Sequence, residues 1–220
     1  VATKITPPFD SAAINISVEQ SLRRLYTDSL DILFLHSWDE SCLDNNVLET
    51  LEKLRSSGKI KKLGASNFTA SQLQRFLDKQ AAMGYATADY IQNNHNLAHS
   101  DITDEVVEIC SRYGVSICSY SPLAAGFLTG KYQRHIPSGS RFDIIPQHRQ
   151  IYFNEQCWQK VNNLRMVAAE QGIEPAILAL AWAMQNDDIS TVLIGCRNRE
   201  QIDQAFTAYA LNRSSMLSKL

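Results

Sequence analysis

Apolar and polar residues follow two different periods along the chain, and the two periods alternate from one end to the other. Short apolar runs rich in β-branched and aromatic residues, such as DILFLH at 31–36, are typical of buried parallel strands. Between them lie longer stretches with apolar residues every three or four positions, which are typical of helices packed on a sheet. This alternation predicts one α/β domain over residues 1–220, with a parallel sheet and right-handed crossovers.

The pattern predicts about six strands separated by helices. The strands cover about 1–5, 31–36, 62–66, 90–93, the run around Cys118 and 190–194. Helices are predicted near 17–27, with Ser17 as N-cap, and over about 43–57, 69–83, 103–113, 154–171, 175–185 and 199–210. A long loop is predicted from about 126 to 149, and loops of such length are usually lids or binding loops.

The strand count bears on the architecture. A closed barrel of alternating strands and helices has eight strands and typically about 250 residues. The fold expected is therefore an α/β (β/α)8 TIM barrel that lacks its first two strands, and the absent pair would precede Val1.

Five successive apolar runs turn polar at their carboxyl ends. His36 ends the first of them, and the later ones end in Ser66 and Asn67, Gln92, Tyr120 and Ser121, and Gly195 and Arg197. Packing alone favours continuous apolar strands or plain turn residues there, so the polar ends predict a shared functional face. His36 taken alone has a second interpretation, a core histidine satisfied by a backbone carbonyl.

Composition excludes several classes of function. Lys plus Arg total 21 and Asp plus Glu total 23, and the formal net charge of -2 leaves no electrostatic footprint for nucleic acid or an anionic membrane. Affinity for an anionic ligand must come from local cations, of which Lys131, Arg141 and Arg197 are best placed. No apolar run approaches the roughly 20 residues that span a bilayer, and no signal-peptide pattern is present, so a cytoplasmic protein is expected. Five cysteines without metal-ligand spacing predict reduced thiols and no metal site.

Five segments resemble the aldo-keto reductases and occur in that family's order. VATK at 1–4 resembles the strand with the catalytic lysine, DILFLHSWD at 31–39 the strand with the catalytic histidine, and GKIKKLGASNF at 58–68 the next strand. YSPLAAGFLTGKY at 120–132 is similar to the family's seventh strand and cofactor loop, and LIGCRNREQI at 193–202 to its eighth strand and adenosine-binding turn. The resemblance implies an NADPH-dependent oxidoreductase that reduces aldehydes and ketones, which are small-molecule carbonyl substrates, to alcohols by hydride transfer.

The resemblance also implies catalytic roles. Lys4 corresponds to the lysine that lowers the pKa of a general-acid tyrosine, and His36 to the histidine that hydrogen-bonds the substrate carbonyl. The family's tyrosine and its aspartate partner lie on a segment that has no counterpart in residues 1–220. From its position alone, Lys4 is more simply interpreted as a solvated terminal residue.

The cofactor implied is NADP(H). Ser66, Asn67 and Gln92 would bind the nicotinamide carboxamide, whose donor and acceptor suit hydroxyl and amide side chains. Asn67 could instead cap a helix, Gln92 could be a plain polar strand end, and Tyr120 could stack on the nicotinamide or pack in the core. The other implied contacts are Ser121, Pro122, Leu123, Ala124 and Lys131 with the pyrophosphate, Arg141, Gly195 and Arg197 near the 2′-phosphate end, and Gln201 and Gln204 with the adenosine.

A non-catalytic NADP(H)-binding regulatory subunit, resembling the family's channel-associated members, is the alternative function. His36 favours a reductase ancestry, because the channel-associated class commonly carries another residue there. Ala205 stands where the family usually has an asparagine, and the loss of one neutral hydrogen bond weakens binding by roughly 0.5 to 1.5 kcal/mol. Neither the physiological substrate nor the oligomeric state follows from these residues.

Overall fold

The computed structural model describes residues 1–132, 136–211 and 214–220. Its strands are β1 Ala2–Ile5, β2 Leu30–Leu35, β3 Ile60–Ser66, β4 Tyr90–Asn94, β5 Ser116–Tyr120 and β6 Ile189–Val192. Their order in the sheet follows the chain from β1 to β6, and each of the first three neighbouring pairs is parallel. The predicted α/β fold, built from successive strand and helix units of the (β/α)8 kind, is confirmed.

Helices separate the strands. They are α1 Ser11–Leu25, α2 Asn45–Ser56, α3 Ala70–Ala82, α4 Asp104–Tyr113, α5 Arg141–Ile144, α6 Arg149–Tyr152, α7 Glu155–Gln171, α8 Pro175–Met184 and α9 Arg199–Leu211. The predicted start of α1 near Ser17 is wrong. Asp10 caps the helix instead, because its carboxylate accepts a hydrogen bond from the backbone N–H of Ala13 at 2.9 Å.

The segment predicted as a long loop over 126–149 contains regular structure. Two short 3₁₀ turns lie within Ala124–Thr129, separated by a kink at Ala125 and Gly126 where the backbone is not helical, and α5, a 3₁₀ turn at Pro146–His148 and α6 follow. The Phe142 side chain is fully buried, and its ring meets that of Tyr132 edge-on at a centroid distance of 4.8 Å. Burial of aromatic side chains therefore anchors part of this segment in a core. The irregular spacing of its apolar residues does not predict this arrangement. Residues 133–135 of the segment lie outside the described residues.

Contacts between Cα atoms group the chain into two compact units. The first unit comprises 1–93 and 102–118, and the second comprises 94–101 and 119–220. Leu33, Ile60 and Phe76 are fully buried in the first unit, as Phe127, Leu164 and Leu178 are in the second. Among the described helices, not one combines the length and the apolar character needed to cross a membrane. The single domain over residues 1–220 stays a prediction.

Candidate active site

In the first unit, hydrogen bonds join the carboxyl ends of β2 and β3 to Gln92 in the middle of β4. The side-chain Nδ2 of Asn67 donates to the backbone carbonyl of His36 at 2.8 Å, and the Asn67 backbone N–H donates to the Gln92 carbonyl at 3.1 Å. The hydroxyl of Ser66 donates to the same Gln92 carbonyl at 2.9 Å. Four of the sequence-predicted site residues are therefore brought together, although Gln92, expected at the end of its strand, is followed by two further residues of β4.

The four residues differ in exposure and in backbone conformation. Ser66 and Gln92 are buried, with 1% and 5% of their surface exposed, whereas His36 is exposed. Asn67 has a φ of 59°, in the left-handed region that asparagine tolerates better than most residues with a side chain. This conformation turns the chain out of β3 while the Asn67 amide contacts the end of β2. The hydrogen bond from Asn67 holds the backbone of His36, and the His36 side chain is exposed to solvent.

Lys4 lies on β1, where it pairs in register with Phe34 of β2. Its Nζ is 5.4 Å from the centroid of the Phe34 ring, and partial burial lowers the pKa of Lys4 below its ordinary value, with a smaller opposing effect from Cys118. The Phe34 ring in turn covers Gly64 of β3, where a methyl group would overlap the ring carbons. Neither Phe34 nor Gly64 was predicted from the sequence to support the site. The available signal was a glycine inside the strand-like run KKLGAS at 61–66.

In the second unit, the turn after β5 has an unusual backbone. Ser121, Ala124 and Ala125 have φ values of 56°, 51° and 56°, all in the left-handed region. The Ser121 carbonyl accepts a hydrogen bond from the Ala124 N–H at 2.8 Å and another from Asn96 Nδ2 at 3.1 Å. Pro122 is buried beside the half-buried Leu123. Backbone geometry therefore distinguishes this turn from an ordinary loop.

Tyr120 precedes this turn as the last residue of β5, and its ring is half-buried. Burial raises the pKa of its hydroxyl to about 12, and the negative charge of Asp101 adds to the effect. The phenol therefore stays protonated across the physiological pH range.

The cations assigned from sequence to an anionic ligand are exposed. Lys131 Nζ lies 5.1 Å from the Tyr132 ring centroid, and Arg141 is the first residue of α5. Arg197 is also exposed, and its backbone N–H donates to Gln201 Oε1 at 2.8 Å. Exposure leaves these charges hydrated, so each can meet a ligand from solvent.

The segment from Gly195 into α9 is shaped by side-chain contacts to the backbone. Gly195 is exposed with open space beside its Cα, and Asn198 Oδ1 accepts from the Gln201 N–H at 3.0 Å at the start of α9. The Gln204 amide donates to Glu174 Oε2 at 2.7 Å, and this bond joins α9 to the residue preceding α8. Gln204 therefore already has a protein partner, while Gln201 stabilises the turn through the Arg197 backbone.

The donor chemistry of each unit, taken by itself, suits a different kind of chemical group. In the first unit, Ser66, Asn67 and Gln92 supply hydroxyl and amide groups of the kind that match a carboxamide. In the second unit, a tight turn and exposed Lys and Arg residues suit phosphate oxygens. Among the described residues, no group of three or more His, Cys, Asp or Glu side chains could hold a metal ion.

Comparison with known sequences points to the same family. A sequence model described as the Aldo/keto reductase family matches residues 1–217. An aldo-keto reductase of Pseudocercospora fijiensis is 29% identical over 197 residues, which are 84% of this chain and 67% of that protein. The NADH-specific methylglyoxal reductase of Escherichia coli is 28% identical over 210 residues, 92% of this chain and 61% of that protein.

A third relative is named as a channel subunit and not as a reductase. The probable voltage-gated potassium channel subunit beta of Oryza sativa is 28% identical over 187 residues, 83% of this chain and 57% of that protein. The chain thus spans 57% to 67% of the length of these three relatives. Since the family match extends over residues 1–217, nearly the whole sequence, the chain belongs to the aldo/keto reductase family.

Proposed function

We propose that the chain acts as an NADPH-dependent oxidoreductase that reduces aldehydes and ketones to alcohols. Family membership supports an oxidoreductase in general. The observation that carries the finer proposal is the hydrogen-bonded group in the first unit, in which Asn67 links the His36 carbonyl to the Gln92 carbonyl. This group places a histidine, two amide side chains and a hydroxyl on neighbouring residues.

His36 is the catalytic residue of the proposal. Its imidazole would donate a hydrogen bond to the substrate carbonyl oxygen, orient the carbonyl and stabilise the negative charge that develops on that oxygen. The reduced nicotinamide, when bound, supplies the hydride to the carbonyl carbon. Within residues 1–220, His36 is also the group assigned to give the oxygen its proton. Lys4 would lower the pKa of the family's general-acid tyrosine, which has no counterpart in these residues.

The proposal assigns each cofactor residue to one part of the dinucleotide. Ser66, Asn67 and Gln92 would hold the carboxamide, and Tyr120 would lie against the nicotinamide ring. The turn at 121–124 and Lys131 would bind the pyrophosphate, with Gln201 and Gln204 toward the adenosine. Arg141 and Arg197 would bind the 2′-phosphate, since guanidinium groups donate forked hydrogen bonds to phosphate.

Cofactor preference is the first test. Fluorescence quenching should give a lower Kd for NADPH than for NADH, and Arg197→Ala should reduce that difference. Arg23→Ala, which removes an exposed arginine from α1, is the matched control and should leave the difference unchanged. The preference requires direct measurement because the Escherichia coli relative is named as NADH-specific. Equal wild-type affinities for the two cofactors would refute the assignment of the arginines.

Turnover is the second test. The rate of NADPH consumption with 4-nitrobenzaldehyde should be slower by about 10²- to 10⁴-fold than in a relative that carries the family's tyrosine, because general acid catalysis contributes that much. His36→Ala should abolish the remaining activity, while Arg23→Ala should retain it. Turnover as fast as the relative's would contradict the need for a tyrosine.

A non-catalytic regulatory subunit is the second candidate, favoured by the similarity to the rice potassium channel subunit beta. The gene sequence preceding the Val1 codon separates the two proposals. An in-frame segment with an aspartate and a tyrosine at the spacing of a barrel strand would support the enzyme. A start codon immediately before Val1, together with NADPH binding and no turnover, would support the regulatory subunit.

A further inference from the structure

A buried network of side-chain hydrogen bonds lies in the second unit. Asn94, Asn96 and Tyr152 have only 3%, 1% and 2% of their surface exposed. Asn94 Nδ2 donates to the Tyr152 hydroxyl at 3.0 Å, and the Asn96 Nδ2 donates to Asn94 Oδ1 at 3.0 Å. Asn96 Nδ2 also lies 3.3 Å from the Tyr152 hydroxyl, so the three side chains form a closed triangle. Asn94 and Asn96 belong to the polar run QNNHN at 92–96, in which only Gln92 was predicted to be a site residue.

Asn96 connects this triangle to the turn after β5. Its Nδ2 donates to the Ser121 carbonyl at 3.1 Å, while its Oδ1 accepts from the backbone N–H groups of Ala98 and His99 at 3.1 and 3.0 Å. The two backbone donors fix which end of the amide is oxygen and which is nitrogen. The nitrogen is therefore held toward Ser121.

The turn requires such support because its backbone is strained. Ser121, Ala124 and Ala125 all carry a Cβ and all adopt left-handed φ values, which are unfavourable for such residues. A conformation of this kind persists when surrounding contacts determine it, and strained positions cluster at ligand-binding sites. Within the described residues, the Ser121 carbonyl accepts one side-chain hydrogen bond, from Asn96, and one backbone hydrogen bond, from Ala124 in the turn itself.

Tyr152 adds a second attachment. Its ring stacks on Phe127 with centroids 6.1 Å apart and an interplanar angle of 24°, and Phe127 lies in the 3₁₀ turns that follow the kink at Ala125 and Gly126. Burial raises the pKa of the Tyr152 hydroxyl, so the group stays a neutral donor to Asn94 Oδ1 at 3.2 Å. Tyr152 thus contacts both the amide pair before the turn and the 3₁₀ turns after it.

We propose that Asn96 and Tyr152 are positioning residues that hold the turn at 121–124 in the conformation that binds the cofactor phosphates. The inference rests on the proposed function, which assigns this turn to the pyrophosphate. It goes further in naming two residues that touch no ligand and act through the Ser121 carbonyl. Their removal should weaken cofactor binding beyond the loss that reduced stability alone would cause.

Three variants separate positioning from a general structural role. Asn96→Ala removes the bond to Ser121, and Tyr152→Phe keeps the stacked ring but removes the hydroxyl. Val161→Ala, a buried truncation in α7, is the control for loss of stability without loss of the network. The Kd for NADPH and the Tm without cofactor are measured for each protein. Asn96→Ala should raise Kd about tenfold, because it removes the bond to Ser121 together with the other bonds of the amide. Tyr152→Phe should raise Kd about threefold, because it removes only the hydroxyl that contacts the Asn94 amide.

Val161→Ala should lower Tm and leave Kd within about twofold. Kd values that follow Tm across all three variants would overturn the proposal, because the network would then serve stability alone. Restoration of near-normal Kd by Asn96→Gln, compared with Asn96→Ala, would support the amide as the active group. Failure of Asn96→Ala to fold would leave the test to Tyr152→Phe, whose ring contacts are preserved.

A second readout does not depend on the cofactor. Amide hydrogen exchange of the peptide covering 121–126 should be about tenfold faster in Asn96→Ala than in wild type, and unchanged in Val161→Ala. Unchanged exchange in Asn96→Ala would overturn the proposal even if Kd changed. Absence of NADPH binding by the wild-type chain, with faster exchange in Asn96→Ala, would refute the proposed function and the phosphate assignment while leaving Asn96 as the residue that holds the turn.

Discussion

Asn67 illustrates how one residue joins backbone conformation to the candidate site. Its left-handed φ of 59° ends β3, and its amide donates to the His36 carbonyl at 2.8 Å. Asparagine suits both tasks, because it tolerates this conformation and carries a donor on a short side chain. The interpretation of Asn67 as a helix cap is not what the structure shows, since Thr69 caps α3 through its hydroxyl and the Gln72 N–H.

His95 is a second residue whose environment has a measurable consequence. It is 6% exposed, its Nδ1 lies 2.8 Å from the Ser100 hydroxyl, and its ring stacks on Trp182 at a centroid distance of 5.1 Å. Its Nε2 has no hydrogen-bond partner among the described residues. Burial lowers the pKa of His95, so the folded chain favours the neutral imidazole.

The free energy of unfolding should therefore fall as pH decreases. Below about pH 6.5 the unfolded chain binds a proton at position 95 that the folded chain resists, and the slope for one proton is at most about 1.4 kcal/mol per pH unit. The loss should level off once pH falls below the folded pKa. Urea unfolding between pH 7 and 5 measures the slope, and His95→Phe should reduce it.

His148 provides a comparison for this measurement. Burial and the charge of Arg141 lower its pKa as well, so His148→Phe should also reduce the slope and the double variant should reduce it further. A slope that is the same in wild type and His95→Phe would contradict the account of His95.

At the scale of elements, the packing of β1, β2 and β3 depends on a close contact made by the Phe34 ring. The Phe34 ring of β2 lies over Gly64 of β3 and under the Lys4 ammonium of β1. Parallel strands of a sheet bring side chains on one face into such rows, and only glycine leaves room for a ring lying across the neighbouring backbone.

Gly64→Ala should destabilise the chain by about 1–3 kcal/mol, because the new methyl group must displace the Phe34 ring in a packed core. Gly195→Ala is the matched control, since open space surrounds that position, and its effect should stay within about 0.5 kcal/mol. Urea unfolding measures both. Equal stabilities for Gly64→Ala and Gly195→Ala would show that the ring moves aside without cost.

At the scale of the whole molecule, exposed apolar surface on α9 bears on how the chain behaves in solution. Ile202, Phe206 and Tyr209 are 46%, 71% and 68% exposed, and their spacing of four and three residues places them on one face of the helix. A contiguous exposed apolar face favours association with other surfaces over contact with water.

Residues 1–220 in isolation should associate in a concentration-dependent manner. The double variant Phe206→Ser and Tyr209→Ser should weaken that association, whereas Thr207→Ser, an exposed polar substitution on the same helix, should not. Sedimentation velocity over a range of concentrations measures the effect. A monomer at every concentration would contradict the prediction.

The local pattern of apolar and polar residues was enough to predict most of the secondary structure of this protein. Apolar periodicity records which face of a segment is buried, so it predicted the six strands and most of the helices that the structure describes. It also predicted that His36, Ser66, Asn67 and Gln92 would meet, because the carboxyl ends of parallel strands share one end of a sheet. The start of α1 was predicted wrongly, because Asp10 and Ser17 are both residue types that cap helices well; in the structure Asp10 is the cap and the buried Ile14 lies within the helix.

Only the tertiary structure revealed the contacts between residues far apart in sequence. Asn96 and Tyr152 meet through a separation of 56 residues, and Phe34 covers a glycine on another strand. Neither contact has a period or spacing that marks it in the chain, because each depends on how separate elements pack. Hydrogen-bond satisfaction inside a buried region and the exclusion of overlapping atoms select these pairs, and both conditions exist only once the elements are assembled.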